Sequence, residues 1–171
     1  RMLKQIGRSH LEKDIYENIT NLKLAGFDNI SIDLIYALPK QTMDNVREKA
    51  PLVHNITNYV TVNDVANVLL ACGGSPIMSD EPDDVEDITS ICVGLNINIG
   101  TLNKRTIESM FLAGKKAKAL GHVLLLDPVG AGASKLRTET AVKILDELKP
   151  DVIRGNISEI KTLALGNGTT K

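Results

Sequence analysis

The apolar positions along this chain alternate between two spacings. Val62, Val65, Ala66 and Leu69 fall on one side of a helix, and so do Ala141, Ile144, Leu145 and Leu148. Between such stretches stand short apolar runs, "SPIM" at 75–78 and "HVLLLD" at 122–127. The second is continuous, as in a strand buried on both faces of a parallel sheet. Further helices are predicted near 43–49, around Val85, Ile88 and Cys92, from about Lys104 to Leu120, and from Ile157 to about Leu165. "NISIDLIYAL", "PLVHNIT", "GLNINIG" and "DVIRG" read as strands. Nearer the start, Ser9-His10-Leu11-Glu12 has capping-box spacing, Ile15, Ile19 and Leu22 share a face, and Gly26 supplies a stop. Thr61-x-x-Asp64 opens one helix and Gly73-Gly74 closes it, while Gly121 and Pro150 end two others. Strand–helix alternation with short turns predicts an α/β fold of three layers, a mainly parallel sheet with helices on both faces. The strand at about 29–36 is expected to pair beside the strand at about 51–56.

Composition narrows the function classes. The 171 residues are 43% hydrophobic and 24% charged, with 20 basic and 21 acidic residues and a formal charge of −1. No basic stripe calls for nucleic acid or an anionic membrane, and 3% aromatic content with no Trp leaves little for base stacking. Cys72 and Cys92 are the only cysteines and lack metal-site spacing, which suits a reducing compartment. With no signal peptide and no apolar run near roughly 18 residues, the chain reads as cytoplasmic. His54 and His122 read as strand-flanking residues that bind nothing.

Five segments stand in a fixed order from residue 45 onward: "HNITN", "GGSPIMS", "NINIGTL", "LLLDPVGAGAS" and "VIRGNISEI". Together they make residues 45–171 resemble the hydroxyethylthiazole kinases of thiamine salvage. The resemblance implies a ribokinase-like fold, a homo-oligomer (usually a trimer), and ATP-dependent phosphorylation of a thiazole alcohol with Mg2+. It implies that Met78 and Asn58 line a thiazole pocket, with Asn98 and Gly100 near it. It places Asp127 by the phosphates and magnesium, Arg154 on the ATP phosphates, and Glu159 on magnesium through water. A carboxylate for the metal and a guanidinium for phosphate oxygens are the parts phosphoryl transfer needs. Asp127 and Arg154 fall at carboxyl ends of predicted strands, where ligands bind in such folds.

Plainer readings stand beside these. Asn156-x-x-Glu159 is also a helix-capping pattern, Gly130 and Gly132 are also turn glycines, and Met78 could fill core. "ACGG" around Cys72 imitates a glycine-rich anion hole with a catalytic cysteine. It is expected at a helix C-terminus, where the dipole repels phosphate. Cys72 is therefore read as a helix residue, and no catalytic cysteine is assigned. The family's own glycine-rich anion hole would follow Lys171.

Residues 1–44 carry a different likeness. "DLIYALPKQT" resembles radical-SAM proteins related to oxygen-independent coproporphyrinogen oxidase, with Ala37 where that family has Gly. The resemblance makes Arg8 and Asp33 vestigial S-adenosylmethionine contacts. Neither cysteine lies in the CxxxCxxC loop of a [4Fe–4S] cluster, so no iron–sulfur cluster is expected. One α–β unit of a TIM-barrel-type protein, fused near Asp44-Asn45, gives the reading of an engineered chimera that folds as one domain. That chimera is expected to be a kinase-derived scaffold without turnover. The alternatives are a functional hydroxyethylthiazole kinase fragment and a thiazole-binding module without catalysis.

Overall fold

The computed structural model describes residues 43–165. In chain order these form α1 (Met43–Lys49), β1 (Leu52–Ile56), α2 (Val62–Cys72), β2 (Ser75–Met78), α3 (Val85–Ile91), β3 (Gly94–Asn98), α4 (Lys104–Ala119), β4 (Val123–Asp127), α5 (Lys135–Leu148), β5 (Val152–Ile153) and α6 (Ile157–Leu165). The predicted helical faces turn inward. Val62, Val65, Ala66 and Leu69 are the half-buried side of α2, and Ala141, Ile144 and Leu148 are buried on α5. Asn103 and Thr106 cap α4 reciprocally, each side chain accepting from the other's backbone N–H.

Among the described residues the sheet has five strands in the order β2-β1-β3-β4-β5, and every pairing is parallel. The fold is the three-layer α/β arrangement expected. The chain steps outward from β1 to β2 and then returns past β1 to β3. Right-handed crossovers therefore put α2 on one face and α3, α4 and α5 on the other. Leu95, Ile97, Leu124 and Leu126 of the central strands meet Met110 and Ala113 of α4 in the core. α4 and α5 cross closely at Gly114, where an added Cβ would collide with Leu148 Cδ1.

Two expectations change. β1 is flanked on both sides, by β2 through Leu52–Asn55 and by β3 through Val53–Ile56. No edge of β1 is left for a strand at 29–36; that stretch and the helix at 9–26 lie outside the described residues. An apolar run shows that a strand is buried, not which strand lies beside it. Second, "DVIRG" contributes only Val152 and Ile153 to the sheet. The short helix predicted near 43–49 is present as α1, which includes Asp44 and Asn45.

Candidate functional site

The order 2-1-3-4-5 reverses direction between β1 and β3, and open α/β sheets bind ligands beyond the carboxyl ends of strands at such a reversal. Asn98 and Asp127 end β3 and β4 and are partners in the ladder. Asn58 lies just past β1, and its Nδ2 donates to Asn98 Oδ1 at 3.1 Å. Asn98 Nδ2 donates in turn to Asp127 Oδ2 at 3.0 Å, and Arg154 Nη1 reaches the same oxygen at 3.1 Å. Asn58, Asn98, Asp127 and Arg154 thus form one row across the strand ends. The Asn98 carboxamide is fixed within it, because its Oδ1 also accepts from the Gly100 amide at 2.9 Å. A side chain at Gly100 would strike Asn58 and Asn98, both 2.9 Å from the Cβ position.

Two buried carboxylates sit at the β4–β5 end. Burial pushes Asp127 above the usual carboxylate range, against the pull of Arg154 and with a push from the nearby charge of Glu159. Glu159 Oε2 accepts from the Asn156 amide at 2.8 Å, and Oε1 from the Gly130 amide at 2.9 Å. Asn156 Oδ1 accepts from Ser158 and Glu159 amides, so the capping pattern forms as well. Gly130 and Gly132 are turn glycines with φ of 74° and 92°. A Cβ at Gly130 would lie 2.5 Å from Arg137 Nη1. Arg137 spans the gap from this turn and donates through Nη2 to the Gly100 carbonyl at 2.8 Å.

On the other side of β1 lies a small open cavity, lined by Asn55, Thr57, Tyr59 and Val62 from one segment and Met78 and Asp80 from another. Its β2 wall hangs on His54. That residue is not strand-flanking but fully buried inside β1, with Nδ1 2.9 Å from Thr89 Oγ1 and Nε2 2.9 Å from the Ser79 carbonyl. Burial holds the imidazole below its ordinary range, so the neutral ring is the stable form.

The predicted residues therefore divide into groups. Met78 faces the cavity, while Asn98, Asp127 and Arg154 make the row with Asn58. The Asn58 side chain also braces the turn that leads into α2. Its Oδ1 accepts from the Val60 and Thr61 amides and the Thr61 hydroxyl, at 3.1, 3.0 and 3.1 Å. Thr61 itself makes no cap bond. Cys72 ends α2 as expected, and the amides of Gly73 and Gly74 are used by the carbonyls of Leu70 and Leu69, each at 2.9 Å. Those amides have no capacity left for phosphate. Arg8 and Asp33 lie outside the described residues. Sequence reasoning missed Arg137, Tyr59, Asp80 and Arg105. Each is ordinary in isolation, and only Tyr59, next to the "HNITN" motif, carried any signal.

The sequence profile of the hydroxyethylthiazole kinase family matches residues 43–171. The chain belongs to this family. It is 69% identical over 132 residues to the hydroxyethylthiazole kinase of Clostridium acetobutylicum, covering 77% of this chain and 48% of that protein. The enzyme of the same name from Ruminiclostridium cellulolyticum is 63% identical over 129 residues, covering 75% and 47%. Among solved structures, hydroxyethylthiazole kinase from Pyrococcus horikoshii superposes with a TM-score of 0.70 at 44% identity, covering 72% of this chain and 48% of that one. The chain spans about half the length of the curated relatives it matches.

The family region contains the whole row from Asn58 to Arg154, Glu159, and both walls of the cavity. Among the described residues no three His, Cys, Asp or Glu side chains are gathered to hold a metal ion, and no helix is long and apolar enough to cross a membrane.

Proposed function

We propose that this crevice takes part in ATP-dependent phosphorylation of a thiazole alcohol, with the alcohol in the Met78 cavity and the phosphates toward Asp127 and Arg154. The observation that carries the reading is the hydrogen-bonded row Asn58–Asn98–Asp127–Arg154, which starts beside the cavity and ends at a guanidinium. Met78 and Val62 supply apolar surface for the ring, and Thr57 and Asp80 supply polar groups for its substituents. The Arg154 side chain is 60% exposed and has the fork geometry that suits phosphate oxygens. Asp127, held by Asn98 and Arg154, is the carboxylate placed to meet the hydroxyl proton or the ion that ATP carries.

The donor set fits a magnesium ion carried by ATP. Mg2+ keeps several waters and needs only one or two carboxylates besides phosphate oxygens, and Asp127 and Glu159 are hard oxygen donors. Both oxygens of Glu159 already accept backbone amides, which favours contact through water over direct ligation. When bound, the ion neutralises phosphate charge. Exposed Val60, Val68 and Leu70 support self-association of the kind the family resemblance implies; sedimentation velocity measures it.

Calorimetric titration with the thiazole alcohol and with MgATP tests the reading. Binding of both is expected, Met78→Ala weakening the first and Arg154→Ala the second. No heat from the alcohol at millimolar concentration overturns the assignment of the cavity. ADP release separates a kinase from a thiazole-binding module without turnover, and Asp127→Ala should lower any such release by about 10²–10⁴. We also read residues 1–44 as a segment of separate ancestry, fused near Asp44-Asn45. The family match covers residues 43–171 and does not bear on the segment before it. A chain starting at Met43 should then keep its affinity for the alcohol.

A further inference from the structure

Three segments distant in sequence meet at the outer rim of the cavity. Tyr59 follows β1, Asp80 and Glu81 follow β2, and Arg105 stands in the first turn of α4. Tyr59 Oη donates to Asp80 Oδ2 at 2.9 Å. Arg105 Nη2 donates to the same Asp80 oxygen at 3.2 Å and to Tyr59 Oη at 3.3 Å. Its Nη1 bonds Glu81 Oε2 at 2.7 Å. α4 also grips the loop backbone, because buried Ser109 donates its hydroxyl to the Asp80 carbonyl at 2.7 Å.

Tyr59 and Asp80 line the cavity, whereas Arg105 does not. One guanidinium thus binds two opposing parts of the wall, using the planar fork that a lysine lacks. The Arg105 side chain is 44% exposed and that of Asp80 28%, and exposed ion pairs of this kind add little to global stability. Their geometric effect is local, on how far the β1 loop stands from the β2 loop.

We propose that Arg105 is a positioning residue for the cavity, holding Tyr59 and Asp80 as one wall and so setting affinity for the small molecule inside without touching it. The molecule's identity, a thiazole alcohol, rests on the function proposed above; the positioning role does not. Without the guanidinium, Asp80 keeps its bond from Tyr59 but both side chains gain freedom. Binding must then order them, which costs affinity.

Two measurements on the full chain test this, with Arg105→Ala and Arg105→Lys as variants. In the ligand-free protein, hydrogen exchange is read in peptides covering 57–61 and 78–82. Arg105→Ala should speed exchange in both segments and leave β3 and β4 unchanged. In calorimetry with the thiazole alcohol, Arg105→Ala should raise Kd about three- to tenfold and Arg105→Lys by less, since lysine restores the charge but not the fork. Unchanged exchange overturns the positioning role whether or not the alcohol binds. Faster exchange with unaltered Kd overturns its link to affinity. Faster exchange in a protein that does not bind the alcohol upholds the positioning role and rejects the thiazole reading instead.

Discussion

The two sides of the β1–β3 reversal are built in opposite ways. At the β4–β5 end, buried Glu159 is held by backbone amides from two turns, and Asp127 is held by Asn98 and Arg154. At the β1–β2 end, Tyr59, Asp80, Glu81 and Arg105 hold one another by their side chains at the surface. A backbone amide cannot swing away without unmaking its turn, whereas a side chain can change rotamer. Glu159 is therefore preorganised, as charge handling requires, and the cavity rim is adjustable. Substitutions on the first side should appear in stability as well as in phosphate handling, and those on the second in affinity for the small molecule with little change in stability.

The largest expected effect is that of Glu159→Ala, which leaves the Gly130 and Asn156 amides without their carboxylate. Bonds to charged groups are the strong ones, and urea unfolding should show a loss of about 2–4 kcal/mol. A change within about 0.5 kcal/mol would remove the contrast between the two sides. Next come two buried titrating groups whose pH effects have opposite signs. His54 sits below its ordinary 6.5 in the fold, so protonation favours the unfolded chain and stability falls as pH drops below about that value. His54→Gln, whose amide can serve the same two partners, should flatten that part of the stability curve; an unchanged slope would assign it elsewhere. Asp127 lies above its ordinary 3.8, so its buried charge opposes folding at neutral pH, and that penalty fades on acidification. Asp127→Asn should melt higher than the native chain at pH 7, the gap closing as the pH is lowered, even as any phosphoryl transfer is lost. A lower melting temperature at pH 7 would mean that the Arg154 pair outweighs burial. The smallest effect is that of Tyr59→Phe, expected to change unfolding free energy by no more than about 0.5 kcal/mol. A larger loss would show that the rim is structural after all.

Much of the fold was legible because helix and strand periods are local signals. The inward faces of α2 and α5, the short strand β2 and the extent of α6 all follow from residues a few positions apart. The neighbours of β1 were not legible, since pairing joins segments whose separation leaves no trace in either. Among site residues, Asp127 and Arg154 could be placed because strand ends are predictable and their chemistry is distinctive. The double duty of Glu159 was half legible, since capping spacing is visible in sequence but the reach to Gly130 spans 29 positions. The Tyr59–Arg105 contact, 46 positions apart on exposed side chains, had no periodic or compositional mark.

The ends of the sheet carry one more consequence. Among the described residues its outer strands are β2, which contains Pro76, and β5, which has two residues. Proline presents no N–H to an incoming strand, and a two-residue edge offers almost no ladder to copy. Within residues 43–165, these margins thus offer little template for edge-to-edge growth of a parallel, strongly apolar sheet.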